Sequence, residues 1–237
     1  DLLPLVTHPE HGYTFDALDP KGLLREKLLN IRMHAKNADI RLSFHPDQFV
    51  VPGSVRPEVV QSSLKEIEYQ ALLAEYLGAT NITLHGGGAQ DGKLNALERT
   101  IKGLNALSER ARSRICLEND DRTYTVKDLL PLCLKENIPL VYDVHHHRCN
   151  SDGLSIEEAT NMTQETWGLS EPWAHISSPK NGWHTNDPSP HADHIERSDF
   201  PSYWIDRRLT VDIEAKAKEV AVLRVVKWFS GDSRHTE

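Results

Sequence analysis

The segment Leu140–His147, with the sequence LVYDVHHH, places one carboxylate and three imidazoles directly after an apolar run. An apolar run of this length is typical of a buried strand, so Asp143 and His146 can be presented together at one strand end. Carboxylate and imidazole donors without thiolates suit Zn²⁺ or Mn²⁺, with Fe²⁺ also compatible. The segment therefore predicts a divalent metal site.

The same chemistry recurs along the chain. Short β-rich runs end in a polar residue, and each is followed by a segment with helical periodicity. The residues at these ends are His8, His45, His85, Glu118, Asp143 with His146, His175 and Glu214, and the long loop 178–199 adds His191 and Asp193. A single histidine or aspartate at a strand end is more often a loop-capping or solvated residue than a ligand. The joint pattern is more specific, because buried carboxylates without cations are costly. So many donors exceed the needs of one ion and imply two or three.

The elements that must position these residues alternate between strand and helix, which predicts parallel strands with right-handed crossovers. Chemically active residues recur at nearly every strand end, which favours a TIM-type (β/α)₈ barrel over a doubly wound sheet. We expect a first barrel strand to precede Asp1 and a single domain over residues 1–237. The seven strand candidates, one short of a closed barrel, are residues 2–8, 39–45, 80–85, 114–118, 138–144, 173–177 and 209–214.

Composition narrows the function class. Hydrophobic residues make up 38% of the 237 residues and charged residues 26%, which is typical of a globular protein rather than a membrane protein. Cys116, Cys133 and Cys149 form no disulfide or metal spacing, so we expect reduced thiols and a cytoplasmic protein, nucleoid-associated in a prokaryote. A net charge of −8 argues against broad nucleic-acid affinity but not against a local groove.

Other features give weaker signals. The triplet Gly86–Gly88 could let a phosphate backbone approach closely, although a glycine-rich turn is more often only a turn. Lys180 in the long loop could contact nucleic acid. Strand alternation predicts that His145 and His147 point away from His146, behind the ligands or into solvent.

The chain resembles the ultraviolet-damage endonuclease family, which is related in fold to the endonuclease IV class of apurinic-site enzymes. The motifs that carry the resemblance span nearly the whole chain, in order: Leu3–His8, His45–Phe49, Leu84–Gly87, Leu117–Asp120, Tyr142–His146, His175–Ser178, His191–His194 and Asp212–Lys216. Sugar isomerases of the same barrel type share only part of this set.

The resemblance implies a site for three divalent ions, with Mn²⁺ expected and Zn²⁺ as the alternative. One ion would be held by His45, His85 and Glu118. Glu118 would bridge to a second ion, completed by Asp143, His175 and Glu214. The third would be held by His146 and His191, with Asp193 as a further candidate. His8 would lie beside the site.

The resemblance also implies a substrate, damaged double-stranded DNA. Gln48 and Phe49 match the family's Gln-Tyr pair that probes a damaged duplex, and Phe49 keeps the ring while losing the hydroxyl. One departure is Trp173, which stands where the family commonly has lysine. We expect a monomer without a membrane segment.

The implied reaction is metal-dependent hydrolysis of the phosphodiester 5′ to pyrimidine photoproducts, with abasic sites as a further lesion. Glu118, Asp143, His175 and Glu214 are the expected catalytic residues. Three alternatives stay open at this point: an endonuclease IV-type apurinic enzyme, a two-metal sugar isomerase, and a non-catalytic metal-stabilised or damage-binding barrel.

Overall fold

The structure is a computed structural model that describes residues 12–230. It divides into two compact units, an N-terminal unit that ends at Leu117 and a C-terminal unit that begins at Glu118. Each unit is an alternation of helices with parallel strands. The expected single domain over residues 1–237 stays a prediction. The first strand candidate, residues 2–8 with His8, lies outside the described residues.

The N-terminal unit is built from three strands and the helices that connect them. Its described elements are α1 (Phe15–Leu18), α2 (Leu23–Asn37), β1 (Ser43–Phe44), α3 (Pro57–Leu77), β2 (Asn81–His85), α4 (Lys93–Leu104), α5 (Glu109–Arg112) and β3 (Ile115–Glu118), whose last residue opens the C-terminal unit. β1 pairs with β2 in parallel, with Ser43 opposite Asn81. The Ile82 N–H donates to the Arg114 carbonyl at 2.7 Å, which joins β2 to the start of β3.

Helix α3 shows how local sequence sets these boundaries. Pro57 opens the helix, where its missing N–H costs nothing. Gly78 ends it in the left-handed conformation, with φ at 75°, as expected for a glycine after the last helical residue. An apolar stripe on one side of the helix, formed by Ile67, Ala71 and Ala74, is buried. The buried stripe places the following strand against the core.

The C-terminal unit repeats the alternation. Its described elements are α6 (Val126–Glu136), β4 (Leu140–Asp143), α7 (Val144–Cys149), α8 (Ile156–Glu165), β5 (Trp173–Ile176), β6 (Thr210–Ile213) and α9 (Glu219–Phe229). β4 pairs in parallel with β5, and β5 with β6. The register sets Asp143 beside His175 and His175 beside Asp212. Parallel strands in this register bring their carboxyl ends to one edge.

Helix α6 begins with a cap formed by two side chains. Thr125 and Asp128 form a reciprocal capping box, in which each side chain accepts from the other residue's backbone N–H. The helix then continues through Pro131 to Glu136 without a break. A proline in a helix interior ordinarily disrupts one hydrogen bond, so the cap and the buried face offset that loss.

Two sequence expectations are wrong in detail. The strand expected over residues 39–45 is confined to Ser43–Phe44, because the end of α2 still occupies the chain there: Asp39 has a φ of 52°, and the Ile40 N–H donates to the Ala35 carbonyl at 2.8 Å. The strand expected over 138–144 ends at Asp143, where a helix begins.

This helix, α7, corrects the expectation for the histidines. His145, His146 and His147 lie on consecutive helical positions rather than alternating along a strand. All three are buried, so His145 and His147 do not point into solvent. The physical reason is Asp143, whose carboxylate accepts from the His146 N–H at 2.7 Å and caps the helix.

Candidate metal centre

Three side chains of the C-terminal unit converge at the carboxyl ends of their strands. His175 Nδ1 lies 3.0 Å from Glu118 Oε1 and 3.1 Å from Glu214 Oε1. The three residues offer ligand atoms that all lie within 4.8 Å of one another. Glu118 is fully buried and His175 nearly so. Two carboxylates and an imidazole at this spacing can hold one divalent ion or bridge two.

A second set of ligands lies beside the first. His146 Nδ1 is 3.4 Å from Glu118 Oε1 and 3.6 Å from Asp143 Oδ2. The same ring nitrogen lies 3.0 Å from the Asn119 carbonyl oxygen. Asp143 is fully buried, and within residues 12–230 its Oδ2 has no hydrogen-bond partner. A buried carboxylate oxygen without a donor fits a position that a cation compensates.

The pKa values of the two imidazoles report the same excess of negative charge. Burial by itself would lower the pKa of His175, but the Glu118 and Glu214 carboxylates raise it well above its ordinary value. Burial also opposes protonation of His146, and Asp143 and Glu118 overcome it and raise its pKa to about 10. Without a metal, protons on these rings offset the buried carboxylates. A divalent cation supplies the same compensation, so the residues present fit metal ions.

His191 lies at the edge of this group. Its Nδ1 is 3.8 Å from Glu214 Oε2, and its ring centroid is 6.2 Å from that of His146. A cavity of about 460 Å³ opens here, lined by Pro190, His191, Glu214, Ala215 and Lys216. Asp193 is exposed, and in the part of the chain that the structure describes it belongs to none of the close ligand groups. Its role as a ligand stays a prediction.

Sequence reasoning missed two residues of this centre. Asp212 Oδ2 lies 3.6 Å from His175 Nε2, the ring nitrogen other than the one that faces Glu118. Asn119 brackets the backbone of Asp143 with its side-chain amide. Both lie within the motifs that carry the family resemblance, but a residue inside a strand or directly after a ligand gives no signal by spacing alone.

Two further candidate ligands of the N-terminal unit lie at the carboxyl ends of adjacent parallel strands: His45 directly follows β1, and His85 is the last residue of β2. The rings of His45 and His85 lie 5.1 Å apart between centroids, at 47° to each other. His45 is exposed and its Nδ1 lies 3.1 Å from the Pro46 carbonyl. The assignment of both to one ion with Glu118 stays a prediction.

The loop after β1 presents the two expected lesion-probing residues. Asp47 holds the turn, because its carboxylate accepts from the Phe49 N–H at 3.1 Å and its carbonyl from the Val50 N–H at 2.9 Å. Phe49 is consequently held outward, with 75% of its surface exposed. A cavity of about 470 Å³ lies against this loop, lined by Gln48, Phe49, Val51, Gly53, Ser54, Val55, Arg56, Val59, Ser62, Gly88, Gln90 and Arg99.

Gly86 and Lys180 are the remaining expected DNA contacts. Gly86 follows β2 and is buried. A side chain at the next residue, Gly87, would clash with Val51 at 2.7 Å, so this turn requires a glycine for packing. Lys180 is exposed, and its backbone N–H pairs with the Pro190 carbonyl at 2.7 Å. Within the described residues, no helix is long and apolar enough to cross a membrane.

Comparison with solved structures establishes the class of fold. Endonuclease IV from Thermus thermophilus aligns with a TM-score of 0.64 over 88% of this chain and 82% of that chain, at 15% identity. The 3-keto-D-glucoside 4-epimerase YcjR from E. coli aligns with a TM-score of 0.60 over 88% and 86%, at 13% identity. At such identities the likeness concerns the fold alone. It confirms the expected class, a partial TIM-type (β/α)₈ barrel.

The family follows from closer matches. The chain belongs to the family described as UV-endonuclease UvdE, whose profile matches residues 1–234. A protein named UV DNA damage endonuclease from Bacillus cereus (strain Q1) is 32% identical over 235 residues, which cover 95% of this chain and 72% of that protein. The crystal structure of SacUVDE aligns with a TM-score of 0.85 and 31% identity, over 95% of this chain and 76% of that one. The resemblance inferred from the motifs is confirmed.

Proposed function

We propose that this protein is a metal-dependent DNA endonuclease that hydrolyses the phosphodiester 5′ to ultraviolet photoproducts in duplex DNA. Abasic sites are a second class of lesion that it would cut. The observation that carries the proposal is the convergence of Glu118, His175 and Glu214 in a chain of the UvdE family.

The C-terminal unit supplies most of the ligands that divalent ions would need. Glu118 is central, because its Oε1 lies near both His175 and His146 and can therefore bridge two positions. Asp143 and Glu214 supply further carboxylate oxygens, and His191 a further imidazole. We propose three ions, with Mn²⁺ preferred and Zn²⁺ as the alternative, and include His45 and His85 among the ligands. Bound divalent ions lower the pKa of a coordinated water and neutralise charge on a phosphodiester.

The protein's own residues supply positioning. Asp143 is fixed by Asn119 and in turn caps the helix that carries His146, so two ligands share one rigid support. His175 is held between Glu118 and Glu214 in a buried position, which favours a single ring orientation. These contacts hold the proposed ligand side chains in position before the substrate binds.

Lesion recognition is assigned to the loop after β1. Phe49 presents an exposed ring that can stack on or wedge between unstacked bases, and Gln48 beside it can hydrogen-bond to base edges. Damaged steps unstack more easily than intact ones, so this contact selects lesions by the low cost of distortion. We propose that Lys180 and Gly86 contact the phosphate backbone of the DNA. The protein would act as a monomer in the cytoplasm, at the nucleoid in a prokaryote.

A nicking assay tests the proposal. Supercoiled plasmid, irradiated or untreated, is incubated with the protein in Mn²⁺, in Zn²⁺ or in a chelator. We expect nicks only in irradiated plasmid with metal, leaving 3′-hydroxyl and 5′-phosphate ends. Glu118→Gln should lower the rate at least about 100-fold, because it removes a bridging charge at the reacting centre. The exposed Glu165→Gln on α8 is the matched control and should retain full activity. An unchanged rate in Glu118→Gln would refute the site assignment.

Assays on different substrates distinguish the remaining candidate functions. Oligonucleotides with one pyrimidine dimer or one abasic site are compared at equal concentration. Cleavage of the abasic duplex alone would replace the proposal with an endonuclease IV-type activity. Aldose–ketose interconversion without nicking would indicate a sugar isomerase. Binding of irradiated duplex without a nick under any divalent ion would indicate a damage-binding module.

A further inference from the structure

The long loop 178–199 lies between β5 and β6, and the carboxylate of one residue joins its two ends. Asp199 Oδ2 accepts a hydrogen bond from the Ser178 hydroxyl at 2.5 Å, so the last residue of the loop is tied to its first. Asp199 Oδ1 accepts from the Trp183 indole N–H at 2.9 Å. The Ser178 hydroxyl oxygen also accepts from the Glu196 N–H at 2.9 Å. A buried carboxylate with two neutral donors is strongly held, since charge-assisted hydrogen bonds are the stronger kind.

The indole that Asp199 holds packs onto the helix of the metal centre. The Trp183 ring lies 5.2 Å from the His145 ring, and the Arg148 guanidinium lies over it at 5.5 Å from the ring centroid. His145 in turn lies 5.2 Å from the His191 ring, edge to face. Aromatic packing of this kind has a defined geometry, so displacement of Trp183 transmits through His145 to His191.

Backbone pairing holds His191 from the other side. The Lys180 N–H donates to the Pro190 carbonyl at 2.7 Å, and the Ala192 N–H donates to the Ser178 carbonyl at 2.8 Å. His191 therefore lies on a short antiparallel pair that starts at Ser178, the residue tied to Asp199. Both supports of His191, the paired backbone and the ring contacts through His145, lead back to the carboxylate of Asp199.

We propose that Asp199 is a positioning residue that sets His191 for metal binding, without touching an ion itself. The inference rests on the proposed function for the ion that His191 holds. It assigns a role to a side chain that lies outside the ligand groups of the described residues. Its loss should weaken the loop-held ion selectively and leave the ions held by Glu118, His175 and Glu214 in place.

Metal binding provides the direct test. Mn²⁺ is titrated by calorimetry, with bound metal checked by elemental analysis, into wild-type protein and the variants Asp199→Asn and His191→Ala. We expect His191→Ala to lose the weakest step of the isotherm and Asp199→Asn to weaken that same step about 10-fold or more. Asp187→Asn is the matched control, because it neutralises an exposed carboxylate of the same loop that bonds to Ser189 within its own turn. It should bind like wild type.

A double variant separates positioning from general structure. If Asp199 acts through His191, Asp199→Asn combined with His191→Ala should bind no more weakly than His191→Ala alone. If Asp199→Asn fails to fold, Trp183→Phe takes its place in the test. This variant keeps an aromatic ring but removes the N–H that donates to Asp199, and it should weaken the same step. Additive loss in the double variant, equal loss of every step, or wild-type binding by Asp199→Asn would each overturn the inference. An isotherm with no step lost in His191→Ala would do so too.

Nicking of irradiated plasmid is assayed in parallel, so that the two proposals fail separately. Selective loss of the loop-held ion from a wild-type protein that never nicks DNA would refute the endonuclease and leave the positioning role standing. A wild type that nicks, with an Asp199→Asn variant that binds every ion normally, would refute only the positioning role.

Discussion

The side chain of Asn119 brackets the backbone of Asp143. Its Oδ1 accepts from the Asp143 N–H at 3.0 Å, and its Nδ2 donates to the Asp143 carbonyl at 2.8 Å. Asn119 follows the last residue of β3, and Asp143 is the last residue of β4. The Asn119 side-chain amide therefore pairs with the backbone of β4 at the point where the backbone of β3 has ended. Both residues are buried. The pairing fixes the carboxylate of Asp143 at the point where the chain turns into α7.

Asn119→Ala should therefore destabilise the protein and disturb the metal centre together. The substitution leaves a buried N–H and a buried carbonyl without partners, which costs about 2 kcal/mol or more. Chemical denaturation in chelator measures the stability, and Mn²⁺ titration measures the site. Asn105→Ala, at an exposed helix end, is the control and should change neither quantity. A variant with normal stability and normal Mn²⁺ affinity would show that this pairing is dispensable.

Periodicity in the sequence predicts which side chains lie together at the strand ends. Parallel strands place their carboxyl ends at one edge, so the pattern groups Glu118, His175 and Glu214, and the structure brings these three side chains together. Within the C-terminal unit, the register of β5 and β6 brings His175 close to Glu214, and Glu118 Oε1 lies 3.0 Å from His175 Nδ1. The roles proposed for these residues come from the family resemblance, because spacing alone does not assign them.

The positions that the sequence predicts poorly depend on side-chain contacts across the fold. The local pattern predicts a strand over residues 138–144 with strand alternation of the histidines that follow it. The helix α7 forms instead because Asp143 caps it. Asn119 and Asp199 are ordinary polar residues by sequence. Their roles arise from partners 24 residues away for Asn119 and 21 and 16 residues away for Asp199, separations at which no local periodicity operates.

Metal affinity should rise with pH. In the metal-free protein the pKa of His146 is raised to about 10, since Asp143 and Glu118 overcome the opposing effect of burial. Below that pH the ring holds a proton that an incoming ion must displace, so affinity falls as pH falls. We expect Mn²⁺ affinity to increase by about tenfold per pH unit between about pH 6.5 and 8.5 for each proton released. Calorimetry in buffers of different ionisation enthalpy counts the protons; binding without proton release would contradict the prediction.

Three polar side chains form a hydrogen-bonded chain that connects α7 to β4 and to the segment after α7. The Tyr142 hydroxyl lies 2.5 Å from His147 Nδ1, and His147 Nε2 lies 3.3 Å from Asp152 Oδ1. Burial alone would raise the pKa of Asp152, but hydrogen bonds from the Lys127 and Leu154 backbone N–H groups lower it below its ordinary value. The stabilisation is therefore present above the ordinary aspartate pKa and is lost as pH falls through the depressed one.

Asp152→Asn should lower stability at neutral pH by about 1–3 kcal/mol, because the amide accepts fewer of these hydrogen bonds. The difference from wild type should shrink as the pH falls below the ordinary aspartate pKa and through the lowered pKa of Asp152, where the wild-type carboxylate takes up a proton. Urea unfolding at neutral pH and at two acidic pH values measures both effects. Asp206→Asn is the control, since Asp206 is exposed at a φ of 68° that asparagine tolerates. A constant difference across the three pH values would contradict this account.

Phe49→Ala should impair lesion cutting while leaving the metal centre intact. The exposed ring is held outward by Asp47. Base–aromatic stacking contributes about 1–3 kcal/mol, which corresponds to a loss of about 5- to 150-fold in kcat/KM on a duplex with one photoproduct. Phe49→Tyr should retain activity, because it keeps the ring. Leu94→Ala removes a similarly exposed apolar side chain, 78% exposed on α4 of the same unit, and should have no effect. Mn²⁺ affinity should be unchanged in all three. Cutting by Phe49→Ala at the wild-type rate would show that the ring has no role in probing the lesion. Loss of metal from Phe49→Ala would also contradict this account, because stacking requires the ring and the metal centre does not.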